Sequence, residues 1–194
     1  MIQRVGRVSD ADVVIVEVGG TVGDIEGQPY LEAIRQMRID AGRDKVCYLH
    51  VTFIPYSKAI GEMKTKPTQH SVREMRAIGL QPDIIVCRTS RPLSDDAREK
   101  ISLFCNIEKQ HVLEARDVDC LYEIPMAMEE QGLAEIVLER FRLGTPKPDL
   151  SEWKSMVSHY KSKKTKKVRI ALVGKYIKIA DAYLSVIEAI THAS

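Results

Sequence analysis

The residues best suited to chemistry lie in two stretches of opposite charge. "VVIVEVGGTVGDIEG" (13–27) places Glu17 at the end of an apolar, β-branched run, then sets Gly19, Gly20 and Gly23 close to Asp24 and Glu26. Such a run is expected to form a strand buried in a parallel sheet. Its carboxyl end then lies at the edge where α/β sheets bind ligands. A carboxylate buried there without a partner is costly, or takes up a proton. A Mg²⁺ ion removes the conflict, because it takes one or two carboxylates together with phosphate oxygens. The glycines permit positive φ and a close approach of backbone to ligand. Asp24 and Glu26 repel bare phosphate, so they suit hydrogen bonds to a sugar or base, or a share in holding the metal. The plainer alternative is a glutamate paired with a core arginine beside a flexible loop.

"EMKTKPTQHS" (62–71) is the counterpart. Lys64 and Lys66 precede a helix expected to begin near Pro67–Thr68, whose free N–H groups and dipole favour an anion. Together with Thr68 and Gln69 they make a polyphosphate cradle that needs no glycine-rich loop; the alternative is an exposed basic turn with Thr68 as a routine N-cap. Lys100, in a later helical pattern, adds a phosphate contact or is a solvated helix lysine. The five histidines show no ligand spacing. Cys47, Cys87, Cys105 and Cys120 form no C-x-x-C pair, which points to reduced core thiols in a cytoplasmic protein rather than a disulfide framework or zinc site. No G-x-x-x-x-G-K-[ST] loop is present. "ALVGKY" keeps Gly-Lys but has Arg169 where the first glycine belongs and Tyr176 where Ser/Thr belongs. No serine or cysteine sits in a nucleophile elbow.

These residues need elements to hold them. "DVVIVEV" (12–18), "VCYLHVTF" (46–53), "DIIVCR" (83–88) and "HVLEA" (111–115) read as strands. Between them, 29–42 has Pro29 at a helix start, Leu31, Ile34 and Met37 on one face, and Gly42 at the stop. In 68–79, Val72, Met75 and Ile78 share a face, Ser71 with Glu74 is a possible capping box, and Gly79 ends the helix. "SDDAREKISLFCN" opens with Ser94 as N-cap and two acids in the first turn. Strand alternating with helix means an α/β domain with a largely parallel sheet. From 121 to 160 the pattern is helical, with a break at "TPKP" and a short helix around Trp153. After the lysine run "KSKKTKK" (161–167), "VRIALVGKY" reads as a fresh buried strand and "ADAYLSVIEAITHA" as a fresh helix, the opening unit of a second domain. The expected division is 1–145, a linker at 146–167, and 168–194.

Composition excludes several classes. With 194 residues, 44% apolar and 29% charged, the chain is long enough for a real core and is not disordered. A net charge of +2 gives no field for a polyanion, and the lysine run, lacking interleaved aromatic residues except Tyr160, suits a solvated linker better than a nucleic-acid site. No apolar run reaches the roughly 20 residues a membrane span needs.

Three stretches, "EVGGTVGDIEGQPYLEAIRQMR", "KTKPTQHSVREMRAIGLQPDIIVCR" and "VRIALVGKYIKIADAYLSVIEAITHA", resemble the CTP synthase family in register. The resemblance covers nearly the whole chain, and the first two blocks are long and specific. It implies an internal piece: the later part of a synthetase (amidoligase) domain with a P-loop-NTPase-like, Rossmann-like sheet, a linker, and the first β-α unit of a class I glutaminase domain. In that family ATP with Mg²⁺ activates UTP, and glutamine-derived ammonia completes the conversion to CTP, which feeds back as inhibitor. Carried over, Glu17 resembles the Mg²⁺ ligand. Lys64, Thr65, Lys66, Pro67, Thr68 and Gln69, with Lys100, match the residues that hold UTP and CTP. Asp24, Ile25 and Glu26 match the segment that recognises CTP. Arg116, Asp117 and Val118 fall where the ATP base is contacted, although the family usually has lysine at the first of these, which leaves the backbone contacts as the transferable part. A homotetramer is implied, with no nucleic-acid or membrane partner. The family's phosphate loop, its second acidic Mg²⁺ ligand and the glutaminase Cys, His and Glu have no counterparts, so the piece alone is expected to be inactive, with open sheet edges. The competing readings are another amidoligase of the same fold, which a triphosphate cradle disfavours, and a catalytically inactive CTP- or UTP-binding regulator.

Overall fold

In the computed structural model, which describes residues 2–144, 147–162 and 168–193, the chain divides into two units, Met1–Lys147 and Pro148–Ser194. The first contains α1 (Ile2–Ser9), α2 (Gln28–Asp40), β1 (Leu49–Phe53), β2 (Tyr56–Ser57), β3 (Glu62–Met63), α3 (Lys66–Ala77), β4 (Ile84–Thr89), α4 (Asp95–Cys105), β5 (Val112–Arg116), α5 (Ile124–Glu130) and α6 (Leu133–Arg140). The second contains α7 (Ser151–Lys161) and α8 (Leu184–His192).

The sheet runs β1-β4-β5, all parallel, with Leu49 opposite Ile84 and Val86 opposite Leu113. Strand β4 sits in the middle, and Ile84, Ile85, Val86 and Cys87 are all buried. Helices must therefore cover both faces. On one face Val72 of α3 and Ala97, Ile101 and Cys105 of α4 pack with Ile85, Cys87 and Val112. On the other, Ile124 and Met128 of α5 and Leu133, Ile136 and Val137 of α6 pack with Ile84, Val86 and Leu113. Each helix is built by its sequence. Thr68, Val72 and Met75 form the buried stripe of α3, with Pro67 in its first turn. Ser94 accepts a hydrogen bond from the Ala97 N–H at 3.2 Å and caps α4. Gly42 (φ 96°) and Gly79 (φ 83°) follow α2 and α3 in the left-handed region that favours glycine, as the pattern predicts. The Ser71–Glu74 capping box does not form. The helix starts five residues earlier, at Lys66, so Ser71 lies inside it and bonds His50 instead.

The edge of the sheet where the strands begin is closed by α2, whose Leu31 joins Tyr48, Met75 and Leu80 in a cluster backed by Ile34 and Val46. Asp83, just before β4, is the polar clamp there. It accepts from the Arg38 guanidinium and from the Tyr48 N–H at 2.8 Å, and lies 3.4 Å from Arg140 Nη2, so α2, α6 and β1 meet on one carboxylate.

Two expected strands do not form. Residues 12–18 lie outside the sheet, with Ile15 93% exposed, and 168–174 likewise carry no strand. An apolar run becomes a strand only by gaining ladder partners on a sheet edge, and neither run has one. The helix expected after 176 is present as α8, and the one around Trp153 as α7. Of the lysine run, 163–167 lie outside the described residues.

The two sheet edges differ. On β5 the Gln131 side chain imitates a neighbouring strand: its Oε1 accepts from the Glu114 N–H at 2.7 Å and its Nε2 donates to the Glu114 carbonyl at 2.8 Å. The Arg98 guanidinium also caps the Val112 carbonyl. On β1 no further strand pairs among the described residues, and Leu49, Val51 and Phe53 are exposed. Gln131→Ala is expected to lower the unfolding free energy by about 1–2 kcal/mol, because it strips both bonds from Glu114. Urea denaturation checks this, and an unchanged midpoint would contradict the capping role.

Candidate functional site

The two hydrogen-bonded ties between α3 and β1 set the helix direction. Thr68 Oγ1 donates to Thr52 Oγ1 at 3.0 Å, and one turn further His50 Nε2 and Ser71 Oγ share a hydrogen bond of 2.8 Å. Higher helix numbers match lower strand numbers, so α3 runs antiparallel to β1. Its N-terminus therefore opens at the carboxyl edge of the sheet, the edge expected to take a ligand.

Around that N-terminus the structure gathers three lysines. The backbone N–H of Lys64 is fixed to the Pro55 carbonyl at 2.9 Å, which places the residue at the foot of the β2–β3 hairpin, and its ammonium pairs with Glu62 at 2.8 Å. Lys66, the first helical residue, lies over the Phe104 ring of α4, 5.5 Å from the centroid. Lys100 of α4 pairs with Asp96 at 2.7 Å. Glu62 is held below the usual carboxylate range chiefly by its hydrogen bond from Lys64, with the Lys100 charge adding to the effect. Lys100 is shifted up by Asp96, with a smaller push from Glu62. The three ammonium groups thus belong to one neighbourhood, each resting on a local carboxylate or ring.

The other loop residues sort differently from expectation. Thr68 is 1% exposed with its hydroxyl spent on Thr52, so its side chain is not offered to a ligand. Gln69 donates its amide to Thr65 Oγ1 at 3.0 Å, and Thr65, although at the N-cap, makes no side-chain cap bond. Pro67 has no N–H. The first-turn donor on an exposed residue is therefore the N–H of Lys66.

At the same edge, Arg116, Asp117 and Val118 follow β5. The Asp117 N–H bonds the Thr89 carbonyl at 2.9 Å, its carboxylate lies 4.0 Å from Arg88, and Arg116 pairs with Glu114 at 3.2 Å. Between the two groups, Arg91 stacks over the Tyr56 ring at 4.4 Å.

Glu17 is not brought into this group. It is exposed, at the end of a run that is not a strand, and Val18 beside it packs against the Leu31–Tyr48–Met75–Leu80 cluster, at the edge where the strands begin. Asp24 folds back on its own turn, accepting from the Thr21 N–H at 2.8 Å, and Ile25 and Glu26 are exposed. Gly20 and Gly23 take positive φ in this turn, and Gly19 does not.

A family profile described as "CTP synthase N-terminus" matches residues 1–143. The chain belongs to the CTP synthase family. A CTP synthase of Moorella thermoacetica is 57% identical over 190 residues, covering 98% of this chain and 35% of the relative. One from Bacillus cereus is 54% identical over 192 residues, 99% of this chain and 36% of the relative. The chain thus spans about a third of the length of the curated relatives it matches.

Among the described residues no group of three His, Cys, Asp or Glu side chains is placed to hold a metal. Glu17, a single exposed carboxylate, could give at most one protein ligand to a Mg²⁺ that takes its other oxygens from phosphates and water. Among the described residues no helix is long and apolar enough to cross a membrane.

Sequence reasoning missed four residues of the site: Thr52, Glu62, Asp96 and Phe104. Asp96 and Phe104 flank Lys100 at i−4 and i+4 and were legible as its helix neighbours. Glu62 precedes Lys64 by two. Thr52 had only the faint signal of a hydroxyl in a strand that is apolar apart from it and His50.

The tie between His50 and Ser71 is pH-sensitive. Burial lowers the His50 pKa from 6.5 in the folded chain. The unfolded chain therefore binds a proton first as pH falls, and stability drops below pH 6.5 toward the lowered folded value while staying level above it. Unfolding titrations from pH 7.5 to 5 should show this drop in the natural chain and less of it in His50→Gln. Parallel curves would contradict it.

Proposed function

We propose that this chain forms the nucleotide-holding part of a CTP synthase, which aminates UTP to CTP at the expense of ATP with glutamine-derived ammonia. The observation that carries the reading is the gathering of Lys64, Lys66 and Lys100 at the open first turn of α3. Three ammonium groups beside the N–H of Lys66 and a helix dipole suit a triphosphate far better than a single carboxylate or phosphate. Glu62 and Asp96 hold two of the lysines until a phosphate oxygen replaces them. In this reading Lys64–Gln69 and Lys100 hold UTP, and CTP as feedback inhibitor, with Asp24–Glu26 facing the nucleoside. The backbone of Arg116–Val118 would hold the ATP base. Glu17, which this structure leaves outside the lysine group, would give one ligand to Mg²⁺, and the ion bound there would supply neutralisation of phosphate charge.

The remaining parts of the reading rest on the family alone. These are the P-loop-NTPase-like completion of the sheet, the glutaminase unit that 168–194 opens, a homotetramer and a cytoplasmic setting. For the 194 residues by themselves the proposed activity is nucleotide binding without turnover.

Calorimetric titration of the chain with UTP and magnesium tests the binding half. The expected result is saturable binding that Lys66→Ala weakens by about ten- to a hundredfold, the loss of a charge-assisted contact. No heat with the natural chain, or unchanged affinity in Lys66→Ala, would sink the cradle. In a polypeptide of full family length, Glu17→Ala is expected to reduce ammonia-dependent CTP formation at least about a hundredfold, since a metal contributes several kcal/mol to the transition state. Near-natural activity with ammonia would remove Glu17 from the mechanism.

A further inference from the structure

A threonine inside a helix ordinarily returns its hydroxyl to the carbonyl one turn back. Thr68 does not. Its hydroxyl leaves the helix and meets Thr52 on β1 at 3.0 Å, in a pocket where the two residues are 1% and 8% exposed. Thr52 lies in register with Cys87 of the central strand, which is wholly buried. The first turn of α3 is thereby tied through a buried hydroxyl pair to the edge strand, next to the best-covered strand in the sheet. The second tie, His50 to Ser71, lies one turn deeper and fixes the helix axis but not its end.

This matters because what that end offers an anion depends on its backbone. The N–H of Lys66 points wherever the first turn points, and the exposed Lys66 side chain starts from the same backbone. A displacement of the turn by a fraction of an ångström spoils several short bonds to phosphate oxygens together, since hydrogen bonds weaken steeply with angle and distance. We propose that Thr52, which touches no ligand, is a positioning residue for triphosphate binding: its hydroxyl holds the first turn of α3 in the orientation at which the N–H and the ammonium group of Lys66 meet one anion. The inference rests on the nucleotide reading above.

The test is a comparison of three variants of the 194-residue chain. Affinity for UTP with magnesium is measured by calorimetry, and stability by urea denaturation. Thr52→Val keeps the shape and removes the acceptor, so UTP affinity should fall about five- to tenfold, the value of one hydrogen bond. Thr52→Ser should restore it, because serine returns the hydroxyl. Gln131→Ala, on the far edge of the sheet, serves as the control of similar stability loss and should leave UTP affinity unchanged. The proposal is overturned if Thr52→Val binds like the natural chain, if Thr52→Ser does not recover, or if Gln131→Ala loses affinity to the same extent. If the natural chain itself binds no UTP, the nucleotide reading fails and this inference falls with it, an outcome distinguishable from the others because no variant is needed to see it.

Discussion

Everything in the first unit follows from the need to cover one strand completely. Strand β4 presents apolar side chains to both faces and needs ladder partners on both sides, so β1 and β5 flank it and two helices lie over each face. Parallel neighbours require crossover helices, and the chain enters those helices from the carboxyl ends of the strands. The starts of α3 and α4 and the tail of β5 therefore open on the same edge. The charges follow the architecture: Lys64 and Lys66 at the start of α3 and Lys100 of α4 come from two pieces of chain on either side of β4 in sequence, brought together by the sheet.

The two edges of the sheet are stabilised by different chemistry. Where the strands begin, Asp83 accepts from backbone and guanidinium groups, and an apolar cluster seals α2 against the strand entries. The charges there are paired, although the Nε atoms of Arg38 and Arg140 are buried without a hydrogen-bond partner, and the groups have a structural role. Where the strands end, the lysines rest on Glu62 and Asp96 in exposed pairs, and such pairs contribute little to stability. A pair that is cheap to break is a sound resting state for a cation that must meet a phosphate. Rigidity at this edge comes from below the surface, in the buried threonine pair and the His50–Ser71 bond.

Much of this was legible in the sequence, and the failures have one cause. Helices α2, α3 and α4 announced themselves through periodicity, proline starts and glycine stops, all local signals. The strands at 49–53, 84–89 and 112–116 were legible because apolar runs there also found partners. The runs at 12–18 and 168–176 carried the same signal, but whether an apolar run pairs is decided by what stands beside it, and no local pattern reports that. The same limit hid the Thr52–Thr68 bond, which joins positions sixteen residues apart across two elements. The lysine loop itself was readable because its chemistry is contiguous, whereas Glu17, expected at the same edge, lies next to a residue packed at the other one.

The central claim is that the first turn of α3 is an anion-binding end held by the sheet. Backbone amide chemical shifts of the isotopically labelled chain, followed while UTP and magnesium are added, test it most directly. The account predicts saturable shifts at the amides of Lys64, Lys66 and Thr68, with Leu80 and Asp83 at the opposite edge unmoved. Shifts centred on the opposite edge, or none at Lys66 and Thr68 at saturating nucleotide, would contradict it.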